Sequence, residues 1–253
     1  MKIDVGDSYI INGNGYPKPV FDKYLDNIRK GRAQLGSGRI TTFTGFESTH
    51  HDGITLRAFF DQSSQNEIAE RIVKPIKQLA EESNVEIYSS NLWTPHISVA
   101  DLRMNSDTTQ NRDGTFENVA SDPEVDSSLE SLADMSVTFD TLIPGSAITL
   151  AASSIPDQII SVREAIKSVI ERNEMKSKDF NNITHTTVAR VAYVSPDSST
   201  NVLGRGIHQL HIALVRNPII AKIGFAELKT NEQFEKDNEW LLMAAVRANK
   251  RSH

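Results

Sequence analysis

Two short strings decide the fold of this chain: Thr94-Pro95-His96-Ile97-Ser98-Val99 and Ile183-Thr184-His185-Thr186-Thr187-Val188. Each contains a histidine, one spacer, a hydroxyl residue and an aliphatic residue, and 89 positions separate the two histidines. Side chains alternate between the faces of an extended strand, so we expect His96 to share a face with Ser98, and His185 with Thr187. Two such strands side by side would present two imidazoles and two hydroxyls to one cleft. These groups suit general acid–base chemistry on a phosphoryl group without a metal.

The chain around the strings repeats one succession of predicted elements. In the first pass a strand, a helix and an extended segment precede the first string, at 54–60, 64–83 and 85–88. In the second pass two strands and a helix precede the second string, at 136–142, 147–152 and 157–172. Strand, helix and histidine-bearing strand therefore occur twice, which indicates an internal duplication of architecture.

The helix predicted over 64–83 has two special positions. Ser64 with Glu67 three residues later has the spacing of a capping box, so we expect Ser64 to cap the helix. Pro75 lies in the middle of the pattern and should kink or divide the helix, because proline has no N–H to donate.

The flanking segments complete the expected elements. A lead-in helix is predicted over 17–35 and should close at Gly36, with an extended segment at 39–46. After the second string, 202–215 reads as a helix in preference to a strand. Two closing strands are expected at 219–228 and 240–247.

Composition indicates a globular protein. The chain has 253 residues, of which 38% are hydrophobic, enough for one large domain or two fused halves. It has no cysteine, which excludes disulfides, thiolate chemistry and cysteine-based zinc sites. Residues 1–16 lack the apolar core of a signal peptide, and no stretch approaches the ~20 apolar residues of a membrane span. We therefore expect a cytoplasmic protein without a membrane partner.

The charge of the chain is uneven. The net charge is −6, and residues 105–134 hold eight acidic residues with Arg112 as their one basic residue. The near-neutral remainder argues against duplex DNA as a partner, since a duplex-binding surface needs clustered Lys and Arg. A nucleotide or a short oligonucleotide end remains compatible. Within the acidic part, 105–126 is rich in Ser, Thr, Asn and Asp, which predicts a flexible insertion.

The paired His-x-Ser/Thr strings in a duplicated strand–helix–strand setting resemble the 2H phosphoesterase superfamily, which includes LigT-type and cyclic nucleotide phosphodiesterases. The resemblance covers roughly 54–247. It implies an α/β (α+β) fold that is bilobal and duplicated, with two antiparallel sheets forming a concave groove and helices on the outside. It leaves the lead-in segment and the acidic insertion unexplained.

The domain division follows from this resemblance. Residues 1–53 form a helical and extended lead-in, and 54–253 form the bilobal phosphoesterase domain. Within it, 54–104 carries the first string, 105–126 is the acidic insertion, and 127–253 carries the second string.

The resemblance also implies a reaction. A metal-independent phosphodiesterase of this type would hydrolyse or cleave a 2′,3′-cyclic phosphate or a short or cyclic oligonucleotide, with no cofactor. His96 and His185 would be its catalytic acid and base, in an order that the sequence leaves open. Ser98 and Thr187 would bind the phosphate and stabilise its developing charge.

Other candidate residues have weaker patterns. Aromatic side chains near the strings are possible base-stacking residues: Trp93, Tyr88 and Tyr193. The cluster His50-His51-Asp52 reads as a polar loop, and His208 and His211 as structural residues in preference to metal ligands. Arg190 follows the second string at the parity opposite to His185, so a regular strand would turn it away from the groove; a bulge could bring it back.

Two other function classes stay open. A non-catalytic module that binds a nucleotide or an RNA end on the same fold would show affinity without product. A structural or interaction protein with coincidental strings would hold its two imidazoles far apart. A monomer is the favoured oligomeric state.

Overall fold

The computed structural model describes Tyr16 and residues 18–42, 53–89, 95–103, 117–172 and 183–230. The predictions for Trp93, for the His50-His51-Asp52 cluster and for a strand at 240–247 lie outside these residues. Within the described ranges, the helices are all too short or too polar to cross a bilayer.

The described chain contains both helices and strands. The helices are α1 (Lys18–Ser37), α2 (Gln62–Ile68), α3 (Lys74–Glu82), α4 (Pro123–Leu132), α5 (Asp157–Arg172) and α6 (Thr200–Arg216). The strands are β1 (Gly53–Phe60), β2 (Val85–Ser89), β3 (His96–Arg103), β4 (Ser136–Phe139), β5 (Thr141–Ile143), β6 (Ala147–Ala151), β7 (His185–Val194) and β8 (Ile219–Thr230). A π-helical turn joins α2 to α3 over Ala69–Val73. The expected α+β class is confirmed, as is the helical reading of 202–215.

The strands form two four-stranded sheets with antiparallel pairing. The first sheet has the order β3-β1-β8-β4 and the second has the order β2-β7-β6-β5. The sheets exchange strands: β2 comes from the first half of the chain but pairs with β7, and β8 comes from the second half but pairs with β1. Each sheet therefore contains strands from both halves of the sequence.

The start of α2 differs from the predicted capping box. Asp61 is the N-cap, and its Oδ1 accepts a hydrogen bond from the Ser64 N–H at 2.8 Å. The hydroxyl of Ser64 accepts instead from the Lys222 N–H in β8, at 2.8 Å, so it is used to attach the helix to the sheet. The helix is irregular near Pro75, in line with the prediction: the π-helical turn ends at Val73, and Pro75 is the second residue of α3.

The described part of the acidic segment is folded, so the prediction of a flexible insertion is wrong for it. Residues 117–120 form a helical turn, and α4 begins after Asp122, whose carboxylate caps Glu124. Val119 and Val125 are fully buried in the main core. The polar composition of the segment concealed these two apolar anchors, which attach it to the rest of the protein.

One hydrophobic core lies beneath both sheets. Apolar residues from α2, α3, α5 and α6 join residues from β1, β3, β6, β7 and β8 in a single continuous cluster. These helices therefore cover one face of each sheet. The alternating residues of each strand lie either in the core or on the opposite face, which we call the groove face.

Helix α1 is the exception, because it packs on the groove face of the second sheet. Tyr24 and Ile28 form a separate small cluster with Ile143 of β5 and Ala151 of β6. Gly31 allows this close approach, since a Cβ there would lie 1.8 Å from the Pro144 carbonyl oxygen. The lead-in helix thus covers the outer strands of one sheet.

Candidate active site

From His96 onward the first string forms the beginning of β3, at the edge of the first sheet. His96 and Ser98 are partly exposed, whereas Ile97 and Val99 are buried in the main core. The imidazole and the hydroxyl therefore share the groove face, as the alternation in the sequence predicts.

The second string forms the beginning of β7, inside the second sheet. His185 and Thr187 are partly exposed, whereas Thr184, Thr186 and Val188 are buried. The same alternation places this imidazole and hydroxyl on the groove face of their own sheet.

Both strings contain a β-bulge at the same position. In β3 the extra residue is Val99, and in β7 it is Val188. Each bulged valine follows the hydroxyl residue, and each is followed by a buried alanine, Ala100 or Ala189. Bulges reverse the alternation of a strand and are frequent beside active sites. The duplication thus extends from the sequence pattern His-x-Ser/Thr-Val-Ala to a local irregularity of the backbone.

The two motif strands lie against each other, and a buried arginine bonds to the backbone of the first. β3 contacts β7 across the boundary between the sheets. Arg163 of α5 donates from Nε to the carbonyl oxygen of the bulged Val99 at 2.8 Å. The same guanidinium lies close enough to His185 to affect its titration. Arg163 is 6% exposed, and burial lowers its pKa to about 10.

The ring of His185 has an assigned orientation and a preferred charge. Its Nδ1 lies 2.9 Å from the Ile183 carbonyl oxygen. A carbonyl can only accept, so Nδ1 carries the proton, and in the neutral ring Nε2 keeps a lone pair. Burial lowers the pKa of His185, and the nearby Arg163 and Arg190 lower it further against the opposing effect of the Ile183 hydrogen bond. The neutral form is therefore favoured near neutral pH.

His96 has an aromatic environment instead. It pairs with Phe59 of β1, and the two rings are tilted by 43° with centroids 5.5 Å apart. Phe59 in turn stacks on Phe225 of β8, with centroids 4.7 Å apart. On the same face Arg57 of β1 pairs with Ser98.

Arg190 lies on the groove face, which corrects the orientation expected for a regular strand. The bulge at Val188 reverses the alternation, so that Arg190 is partly exposed on the side of His185 and Thr187. Tyr88 of β2 pairs directly with Arg190 and shares the face.

The aromatic candidates are spread along the groove. Tyr193 is 40% exposed, but it lies eight residues beyond His185 on β7, a distance of roughly 26 Å in a regular strand. Tyr88, opposite Arg190, is nearer. Trp93 lies outside the described residues.

The histidines of α6 have structural partners, as expected. His208 Nδ1 lies 3.0 Å from Arg32 Nη2, and His211 Nδ1 accepts from the Leu142 N–H at 3.2 Å. Burial lowers the pKa of His211 to about 4, with smaller effects from His208 and Arg32. In the part of the chain that the structure describes, no group of three His, Asp or Glu side chains is placed to hold a metal ion.

Sequence reasoning did not identify Arg163, Phe59 or Phe225. Arg163 lies 22 residues before His185 on a helix, so nothing in its local pattern ties it to the string. Phe59 and Phe225 become neighbours of His96 only through strand register. The one available signal was that Phe59 lies in the strand predicted over 54–60, in the same pass as the first string.

Comparisons with known proteins show a distant likeness in backbone structure. No protein-family model matches the chain, and no curated protein sequence matches it. Usb1 of Kluyveromyces marxianus, solved with uridine monophosphate, is 10% identical with a TM-score of 0.44 over 70% of this chain and 93% of that one. A second structure of that Usb1 is 11% identical with a TM-score of 0.40, over 71% and 94%. Likeness at this level identifies neither family nor activity, so the function of the chain has to be inferred from its own residues.

Proposed function

We propose that this protein is a metal-independent phosphodiesterase that acts on a 2′,3′-cyclic phosphate or on a short or cyclic oligonucleotide, with His96 and His185 as its acid–base pair. The observation that carries the proposal is the duplicated His-x-Ser/Thr-Val-Ala string. Both copies begin a strand, both are bulged at the valine, and the two strands are in contact.

His185 is the general base in this proposal. Its Nδ1 donates to the Ile183 carbonyl, which leaves Nε2 as the atom that accepts a proton. Its lowered pKa keeps the ring neutral and ready to accept at neutral pH. The proton comes from the attacking oxygen, which is water for a cyclic phosphate or the neighbouring 2′-hydroxyl for an oligonucleotide.

His96 is the general acid. It protonates the leaving oxygen as the bond from phosphorus to that oxygen breaks and the bond to the attacking oxygen forms. Ser98 and Thr187 donate hydrogen bonds to the non-bridging oxygens, whose negative charge grows in the transition state. Water attack on a cyclic phosphate gives a phosphomonoester, and attack by a 2′-hydroxyl gives a cyclic phosphate and a free alcohol.

The experiment is a turnover assay in EDTA. Purified protein is incubated with nucleoside 2′,3′-cyclic phosphates, 2′–5′ oligoadenylates and cyclic oligonucleotides, and products are separated by chromatography. We expect turnover of at least one class, and its loss in His96→Ala and His185→Ala. Absence of turnover for every class, or unchanged activity in both variants, contradicts the proposal.

Calorimetry with the same ligands distinguishes the phosphodiesterase from the alternative, a non-catalytic nucleotide-binding module. It predicts heat of binding with no product at high protein concentration. The retention of both histidines and both hydroxyls favours catalysis over this alternative.

A further inference from the structure

A row of aromatic rings crosses the groove face of the first sheet. His96 of β3, Phe59 of β1 and Phe225 of β8 are aligned by strand register. Phe59 and Phe225 are nearly parallel, with 11° between their planes. Phe59 is only 9% exposed, whereas Phe225 at the end of the row is 51% exposed.

A bulge in β8 turns Phe225 toward the groove. Phe60 pairs with Ile223 and Phe59 pairs with Phe225, so Gly224 is the extra residue. The buried Ile223 and the exposed Phe225 would otherwise lie on one face of the strand. Gly224 also approaches Asp61 closely, since a Cβ there would lie 3.2 Å from the Asp61 Cα. The backbone irregularity is thus tied to the start of α2.

The outer face of the Phe225 ring has no described strand beside it. β4 is the neighbour of β8 on that side, and its pairing extends only to Lys222. Phe225 is therefore the most exposed ring of the row, whereas His96 is partly exposed. A flat, polarisable ring would continue the stack, and such stacking contributes to nucleotide binding whichever base is present.

We propose that Phe225 is the stacking platform for the nucleobase of the leaving-group nucleoside. This inference rests on the proposed function, in which His96 protonates the leaving oxygen. Phe225 lies two strand spacings from His96, roughly 10 Å, on the same face of the sheet. The platform therefore serves substrates that carry a nucleoside on the leaving side, and a mononucleoside cyclic phosphate does not use it.

The kinetic test compares substrates that differ only on the leaving side. They are uridylyl-adenosine, its analogue with an abasic riboside in place of adenosine, and uridine 2′,3′-cyclic phosphate. We expect Phe225→Ala to lower kcat/KM for uridylyl-adenosine by about five- to 150-fold, the equivalent of one stacked base. The other two substrates should be unaffected, and Phe225→Tyr should retain the preference for adenosine.

Ile220→Ala is the matched control. Ile220 is on the same strand and is 64% exposed, but it pairs with Thr138 of β4, away from His96. It should leave all three substrates unchanged. An equal loss on all three substrates in Phe225→Ala, or no loss on uridylyl-adenosine, overturns the platform.

A binding experiment distinguishes the proposed stacking platform from the proposed phosphodiesterase activity. 2′-Deoxyuridylyl-adenosine lacks the attacking hydroxyl, and calorimetry measures its affinity without turnover. Weaker binding by Phe225→Ala, with unchanged binding by Ile220→Ala, supports the platform even if the wild type shows no turnover. Absence of turnover would contradict only the proposed phosphodiesterase activity. Equal affinity in wild type and Phe225→Ala overturns the platform, whatever the turnover.

Discussion

The groove faces of the two sheets carry the same bulged string in different surroundings. In the first sheet His96 stands beside the stacked rings of Phe59 and Phe225. In the second sheet His185 lies near the guanidinium groups of Arg163 and Arg190, and α1 covers the outer strands. The cations favour a neutral imidazole in one sheet, while the rings offer a flat apolar surface in the other. A duplicated backbone motif thus has two distinct chemical environments, which is the basis for proposing different roles for the two histidines.

The largest expected effect comes from removing either imidazole. His96→Ala and His185→Ala should each lower kcat/KM for uridylyl-adenosine by about 10²–10⁴-fold, the usual contribution of a general acid or base. With a 4-nitrophenyl leaving group, which departs without a proton, His96→Ala should regain most of its activity and His185→Ala should not. Rescue of His185→Ala instead would reverse the assigned roles. His208→Gln, a partly buried histidine on α6, serves as the control.

A second asymmetry is the neutral histidine that anchors β5 in the second sheet. The ordinary pKa of histidine is ~6.5, and that of His211 is lowered to about 4, so below pH 6.5 the unfolded chain binds more protons than the folded one. Stability is therefore full above pH 6.5 and falls by roughly 3 kcal/mol between pH 6.5 and 4. Urea unfolding should show this loss in wild type and a smaller one in His211→Gln. Parallel pH profiles for the two proteins would contradict it.

The covering of the second sheet by α1 depends on Gly31. Gly31→Ala should lower the free energy of unfolding by about 1–3 kcal/mol, because the added methyl group would overlap the Pro144 carbonyl oxygen. Gly36→Ala is the matched control in the same helix, where the nearest atom to a new Cβ is Asn201 Oδ1 at 3.8 Å. Urea unfolding of the two variants should separate them, and equal stabilities would mean that α1 is not held against the sheet.

The smallest expected effect is a shift in a pH profile. The base acts when His185 is neutral, so kcat/KM should rise with pH through a pKa below the ordinary value. Arg163→Met removes a cation that lowers this pKa, which should move the acidic limb to higher pH. Arg190→Gln should move it in the same direction, and the exposed Arg205→Gln should not. If the acidic limb of the pH profile stays at the same pH in both Arg163→Met and Arg190→Gln, the expected effect of the two cations on the pKa of His185 is wrong.

Local sequence patterns predicted most of the helices and strands, but not how these elements pack against one another. The helices of both passes, most of their strands, the irregularity near Pro75 and the helix α6 follow from spacing and from the absence of an N–H in proline. The one strand predicted over 136–142 is instead two strands, since β4 pairs with β8 in the first sheet and β5 pairs with β6 in the second. The capping prediction for Ser64 was wrong, because its hydroxyl bonds to β8, a partner 158 positions away. The capping preference of residues 64–67 is overridden by this contact, which forms only in the folded chain.

The site was predictable to the extent that it depends on alternation along one strand. The shared faces of His96 with Ser98 and of His185 with Thr187 follow from a period of two. The position of Arg190 required the bulge at Val188, and bulges leave little trace in a single sequence. Arg163 and Phe225 depend on tertiary packing and register, for which the strings contain no information.

The exchange of strands between the sheets has a consequence for assembly. β8 is the last described strand, and it completes the sheet of β1 and β3 by pairing Ile54 with Thr230. Likewise β2 completes the sheet of β7. Neither half of the chain can build its own motif sheet, and pairings this distant in sequence form slowly because a long loop must close first. We therefore expect any activity of the protein to appear in a refolding experiment only after the pairings between the two halves of the chain have formed.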